Sequence, residues 1–247
     1  MLNCIKSNFV VKYFESFTLN NNFYIVMEYC NDGDLSGLIK SKKGLNFDEK
    51  TIWKYFIQMC IGISHLHNHQ ISGVKIVHRD LTPLNIFLHD NNIKIGDLGL
   101  AKKLNQFSYA KSIVGTPYYL SPELCKGNNY NEKSDIWALG VILYELATLK
   151  LPFIATNQLA LVNKIIKDIP NSIKNNKNND NDLSSIINLM LIKDPNSRPN
   201  IKSILMNDII YKKAKESEMI KLLNSELDRI GRKHESKNYN DFRSIYI

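Results

Sequence analysis

Asp80 and Asp97 are the two carboxylates whose neighbours could do chemistry. The first lies in His78-Arg79-Asp80-Leu81-Thr82-Pro83-Leu84-Asn85 and the second opens Asp97-Leu98-Gly99. Together these strings offer one carboxylate able to take a proton, one amide and a second carboxylate, oxygen donors of the kind that hold magnesium. Phosphoryl transfer uses that set. Its loose transition state needs little covalent help, so catalysis is positioning plus neutralisation of charge on the phosphate oxygens. Further along come Ser121-Pro122-Glu123, Asp135-Ile136-Trp137-Ala138-Leu139-Gly140 and Arg198-Pro199. Each string alone is commonplace; their conjunction in this order is not.

The set resembles the protein-kinase signature HRDLxxxN…DFG…APE, with DLG in place of DFG. Tyr24-Ile25-Val26-Met27-Glu28-Tyr29-Cys30, Gly33-Asp34-Leu35 and Gly115-Thr116-Pro117-Tyr118-Tyr119-Leu120-Ser121-Pro122-Glu123 are similar to the NIMA-related (Nek) serine/threonine kinases over about residues 1–210. The resemblance implies an α+β, protein kinase-like two-lobe fold: residues 1–30 as part of a β-sheet lobe and connector, 31–210 as a helical C-terminal lobe, and 211–247 as a tail. It implies transfer of the ATP γ-phosphate, with Mg2+, to Ser or Thr of protein substrates. By the same resemblance Asp80 is the base, while Asn85 and Asp97 hold magnesium. Met27 is the gatekeeper, Glu28 and Cys30 present backbone C=O and N–H to adenine, and Phe87 floors the adenine slot. Glu123 pairs with Arg198 to brace the activation segment. Asp135 accepts hydrogen bonds from the catalytic-loop backbone, which His78 and Arg79 belong to. Thr116 contacts the catalytic Asp and argues against a tyrosine kinase. Ser112, with Ser108 as the fallback, is the activation-loop phosphosite, whose phosphate would pair with Arg79. Tyr13 matches a tyrosine that folds into the active site of some Nek kinases; a core aromatic is the other reading.

Two departures bear on activity. No GxGxxG and no VAIK-like stretch occurs, so the Gly-rich loop and ATP-binding Lys of the family are missing and the β-sheet lobe is incomplete. A truncated piece of a full kinase is one explanation, favoured because Asp80, Asn85 and Asp97 all persist. A chain that evolved without a complete ATP site is the other, and it would make this a catalytically silent kinase-like binding or scaffold module. The second departure is Thr82, where most serine/threonine kinases place a Lys that reaches the γ-phosphate.

Composition narrows the rest. The 247 residues are 44% apolar and 23% charged, ordinary for a globular chain with a sizeable core. No uninterrupted apolar run reaches the roughly 18 residues of a membrane span. Cys4, Cys30, Cys60 and Cys125 form no CxxC, which fits reduced thiols in the cytoplasm or nucleus. The net charge is +8, but Asn and Lys are spread over the whole chain. We read that as codon bias, and no basic patch interleaved with aromatics suggests nucleic acid.

The elements that must position these groups are also legible. Residues 10–17 and 23–29 read as a hairpin closed at Asn20-Asn21-Asn22. Asn31-Asp32-Gly33 is a turn and Asp34 opens a short helix. A second helix is expected over residues 47–68 with Asn46 and Glu49 as its capping box; its stripe of Ile52, Trp53, Phe56, Cys60, Ile63 and Leu66 is core. A helix from Ile136 to Leu149, apolar on nearly all sides, should be buried at the centre. Residues 170–182 are an Asn-rich inserted loop. Residues 183–192 and 201–210 complete the helical part. In the tail, Ile220, Leu223, Leu227 and Ile230 repeat at helical spacing, a candidate seam for a homodimer.

Overall fold

Asn20 and Asn21, both in left-handed backbone conformations, fold β1 (Tyr13–Leu19) back onto β2 (Asn22–Met27) as an antiparallel hairpin. Asn tolerates positive φ better than most residues, which is why it serves such tight turns. The computed structural model describes residues 5–68, 70–71, 74–97, 117–170, 173 and 181–231. After the hairpin come α1 (Leu35–Ser41), α2 (Glu49–His67), β3 (Gln70–Ile71), β4 (Val74–Lys75) and a 3-10 turn over Pro83–Asn85. The short strands β5 (Ile86–His89) and β6 (Asn92–Ile95) follow, then α3 (Pro122–Cys125), α4 (Glu132–Thr148) and α5 (Gln158–Lys167). The described chain ends with α6 (Asn181–Met190), α7 (Ile201–Leu205), α8 (Asp208–Glu216) and α9 (Ile220–Arg229). Among the described residues the strands pair as β1-β2, β3-β4 and β5-β6. This is the helix-dominated α+β arrangement expected for a kinase-like chain.

One core runs through the helices, with α2 and α4 at its centre. The predicted stripe of α2 is buried in full, and so are Ile136, Trp137, Leu139, Val141, Ile142 and Leu143 of α4. Several boundaries differ from the sequence reading. Val10 and Val11 are not in the first strand; Val10 bridges in parallel to Ile95, and the Val11 amide donates to the Ile95 carbonyl at 2.9 Å. That bond anchors the foot of the hairpin in the helical core, where Phe9 and Val10 are buried. The cap of α2 is Asp48, not Asn46. The Asp48 carboxylate accepts from the Thr51 amide, while Glu49 instead accepts from Trp53 Nε1 at 2.9 Å and Lys213 Nζ at 2.7 Å. Both Asp48 oxygens are used, Oδ1 accepting from the Thr51 amide and Oδ2 from its hydroxyl, and the charge faces the positive helix end.

Helix α4 starts at Glu132, a turn ahead of expectation, because Asn131 and Ser134 form the capping box. The helix expected over 201–210 is two helices, since Asn207 caps a new one by accepting from Ile209 N. Helix α8 therefore runs across residue 210, and α9 packs back on α2. Leu223 and Leu227, the centre of the proposed dimer seam, are fully buried in the chain's own core. Most of residues 170–182 lie outside the described residues.

The hairpin differs from everything else. From Phe14 to Met27 its residues are exposed on both faces, including Phe17, Phe23 and Tyr24. Burial of aromatic and β-branched side chains is what normally stabilises such strands, and here only the foot of the hairpin is held.

Candidate active site

The site is built outward from Asp135, in the first turn of α4 and fully buried. Its Oδ2 accepts from the His78 amide at 2.9 Å and from His67 Nε2 at 2.7 Å. Its Oδ1 accepts from the Arg79 amide at 3.2 Å and from the Tyr130 hydroxyl. Burial by itself would raise the pKa of this carboxyl. The His67 hydrogen bond, the two imidazoles nearby and the Tyr130 hydroxyl together hold it below the ordinary value. Arg79 is forced to a positive φ of 74°, a strain of about 1–3 kcal/mol for a side chain of this kind. The paired amide bonds to Asp135 hold that strained turn, and the next residue, Asp80, is turned out to solvent.

Asp80 and Asn85 meet. Asn85 Nδ2 donates to the Asp80 carbonyl at 2.7 Å and to its Oδ2 at 3.0 Å. With its nitrogen so engaged, Asn85 keeps its amide oxygen as an acceptor. The Gly96 amide donates to the Asn85 carbonyl at 2.9 Å, and His78 Nε2 donates to the Gly96 carbonyl at 2.9 Å. Asp97, the next residue, is exposed with φ 53°. Asp80 and Asn85 are thus bonded to each other, and Gly96, the residue before Asp97, is bonded to Asn85 and His78. Two carboxylates and an amide oxygen suit a hard, oxygen-seeking cation such as Mg2+ far better than a soft metal. Thr82 precedes the 3-10 turn and its hydroxyl makes no capping bond.

The residues expected at the adenine slot lie at the end of β2, on the connector after it and on β5 beside it. The connector after β2 is laid on β5 by Asp32 N to Leu88 O at 3.0 Å and Leu88 N to Gly33 O at 2.9 Å. Gly33 sits at φ 76°, where a side chain would be strained. The Glu28 amide is taken by the Lys12 carbonyl at 2.8 Å. The Glu28 C=O and the Cys30 N–H have no backbone partner among the described residues. Phe87 bridges to Asp34 beside the connector. Its ring covers Gly96 so closely that a Cβ there would come within 2.4 Å. Met27, at the mouth, is half exposed. The Cys30 thiol has its pKa raised by burial and by the Glu28 carboxylate, so its backbone rather than its sulfur suits the role.

Glu123 and Arg198 form the expected pair, and it is bidentate. Nη1 to Oε1 is 2.8 Å and Nη2 to Oε2 is 2.9 Å, with both residues buried. Ser134 Oγ donates to Glu123 Oε1 at 2.9 Å. The remaining guanidinium hydrogens reach the carbonyls of Lys133, Ile192 and Lys193. Burial would raise the Glu123 pKa, but Arg198 brings it below the ordinary carboxylate value. Lys193 lies 4.9 Å over the Trp137 ring and 4.3 Å over Phe153. Burial, together with the Arg198 charge, lowers its pKa to about 8. Ser112 and Thr116, like Leu98 and Gly99 of the DLG string, lie outside the described residues.

Sequence reasoning missed His67 and Tyr130. Nothing in their spacing announces them: His67 ends a core helix and Tyr130 sits in a loop. Only the fold brings them to the one buried carboxylate. Tyr130→Phe removes a donor from a buried anion, and hydrogen bonds to charged groups contribute about 1.5–3 kcal/mol. The expected result is faster amide exchange at His78 and Arg79 with no change in the amides at the centre of α4. Unaltered exchange at those two amides would show that the hydroxyl does not support the loop.

Comparison with known proteins gives the family. The protein kinase domain family matches residues 1–210. The chain is 43% identical over 224 residues to the probable serine/threonine-protein kinase nek2 of Dictyostelium discoideum, covering 89% of this chain and 53% of that protein. It is 43% identical over 206 residues to mouse serine/threonine-protein kinase Nek1, covering 83% of this chain and 16% of that one. With human serine/threonine-protein kinase Nek2 the identity is 39% over 220 residues, covering 85% and 48%. The chain therefore spans about half the length, or less, of these curated relatives. It belongs to the protein kinase domain family, among the NIMA-related serine/threonine kinases.

Proposed function

We propose that this chain carries the phosphate-transfer machinery of a serine/threonine protein kinase. The observation that carries the reading is the Asp80–Asn85 hydrogen bond beside Asp97, held on a strained loop by Asp135. Asp80 orients the substrate hydroxyl and takes its proton; Asn85 and Asp97 ligate Mg2+ through oxygen. Met27, Glu28, Cys30 and Phe87 form the adenine slot. Protein kinases in general use ATP and Mg2+, and bound MgATP supplies the transferable γ-phosphate and charge neutralisation on it. The acceptors are Ser or Thr residues of protein substrates. Among the described residues no helix is long and apolar enough to cross a membrane, and Cys30, Cys60 and Cys125 are free. We place the protein in a reducing compartment, cytoplasm or nucleus.

The test is transfer of labelled phosphate from MgATP to a generic protein acceptor by a protein that carries this chain. Label on Ser or Thr is expected, together with thermal stabilisation by magnesium nucleotide, about 2.7 kcal/mol at a hundredfold excess over Kd. Absence of both would overturn the reading in favour of a silent scaffold module. Thr82 supplies no cation where charge develops on the phosphate. A single donor at such a position is worth about 10²–10³ in rate, so Thr82→Lys is expected to raise turnover. An unchanged rate would mean that another cation already serves there.

A further inference from the structure

Away from the Asp80 cluster, a cleft of about 730 Å³ opens between residues 5–13, β6, α2 and α9. That volume is within the range of clefts that hold ligands, about 300–1,000 Å³. Its apolar lining includes Ile5, Phe9, Ile61 and Leu222, of which Phe9 and Ile61 are buried and Ile5 and Leu222 are not. Leu222 is 37% exposed although Leu223, next to it on α9, is fully buried, so part of this lining faces the opening.

The charges around that lining do not cancel. Two carboxylates reach the cleft and both are already held. Glu28 Oε1 accepts from Lys94 Nζ at 2.6 Å, and its Oε2 accepts from the Lys12 amide at 3.1 Å. Glu226 accepts from Arg229 Nε at 2.7 Å and lies 3.2 Å from His65 Nε2. Burial opposes its ionisation, yet Arg229, His65 and Ser64 bring its pKa down to about 2. Pinned in this way, neither carboxylate can turn to neutralise the ammonium groups of Lys6 and Lys12. Both lysines are exposed at the cleft, and neither has an ion pair among the described residues. Lys12 Nζ rests only 5.2 Å over the Phe14 ring.

We propose that this cleft docks an acidic peptide segment of a partner protein, with a Leu or Phe between its carboxylates. The apolar side chain covers Ile5 and Leu222, and the flanking carboxylates pair with Lys6 and Lys12. A small anion could pair with the lysines but would leave the exposed apolar lining uncovered. The inference stands apart from the phosphate-transfer reading and needs no activity to test.

A fluorescein-labelled peptide of alternating Glu and Phe, titrated with the full chain at low salt, is expected to bind saturably. Affinity should fall with salt, as for any exposed charge pairing. The double variant Lys6→Glu/Lys12→Glu should bind about tenfold more weakly, or 1.4 kcal/mol, with an unchanged melting curve because both side chains are exposed. A matched peptide of alternating Lys and Phe should bind far more weakly. Equal binding of the two peptides would place the contact on the exposed hairpin and sink the idea. So would undiminished affinity in the double variant, or no saturable binding at all.

Discussion

Arg198→Ala is expected to lower the stability of the protein by about 3–5 kcal/mol, the cost of leaving one member of a buried ion pair alone. Glu123 would be left buried with Ser134 Oγ as its remaining side-chain donor, and the carbonyls of Lys133, Ile192 and Lys193 would lose theirs. Domains are commonly stable by only about 5–15 kcal/mol, so the loss is a large fraction. Urea unfolding followed by tryptophan fluorescence would read it directly, since the guanidinium lies 5.2 Å from the Trp137 ring. Arg198→Lys should not rescue, because an ammonium cannot make the two-pronged contact with a carboxylate. Glu123→Gln should cost less, since the guanidinium keeps three carbonyls and an aromatic face. A loss under about 1 kcal/mol for Arg198→Ala, the size typical of exposed pairs, would show that water reaches this one.

The same pair carries a pH dependence whose sign is set. The Glu123 pKa is held below its ordinary 4.5 in the folded protein. A depressed carboxylate contributes its full stability above the unfolded value and loses it as pH falls through the folded one. The contribution of the pair is therefore expected to be intact at neutral pH and to decline below about pH 4.5. The Arg198→Ala variant should show a flatter acid limb than the parent.

Asp80→Asn is the second large effect. Under the proposed function it should lower turnover by about 10²–10⁴, the usual contribution of a positioned base. The change is close to isosteric, and the new amide oxygen can still accept from Asn85 Nδ2, so the loop should keep its shape. Melting temperature and nucleotide affinity are expected to hold while turnover at saturating MgATP falls. Parent-like turnover by Asp80→Asn, in a protein that carries this chain and a nucleotide roof, would remove Asp80 from the chemistry.

Local structure was legible where the local signal was strong. The α2 stripe, the Asn-Asn hairpin turn and the Asp34 helix start rest on periodicity, positive-φ tolerance and capping, all of which act within a few residues. The start of α4 was written locally in Asn131 and Ser134, while the start of α2 was a choice between two neighbouring caps. Asn46 and Asp48 are both good caps on paper; Asp48 takes the role with both oxygens on Thr51, and Glu49 is engaged by Trp53 and Lys213 instead. Sequence could not weigh that, because Lys213 arrives from the far end of the chain. The tail shows the same limit. A repeat of Ile220, Leu223, Leu227 and Ile230 states only that one face is apolar; whether it meets a second copy or its own α2 is a tertiary question.

Residue order by itself determined the family and the identity of the chemical groups, because Asp80, Asn85, Asp97, Glu123, Asp135 and Arg198 occur in strings whose spacing few other folds would require. What needed three dimensions was how those groups are held. His67, Tyr130 and the amides of His78 and Arg79 converge on one buried carboxylate, though they come from a helix end, a loop and a strained turn. The cleft beside Lys6 and Lys12 likewise draws its surfaces from both ends of the chain. Such sites depend on desolvation and on directional bonds between distant residues, and neither leaves a periodic trace in the order of amino acids.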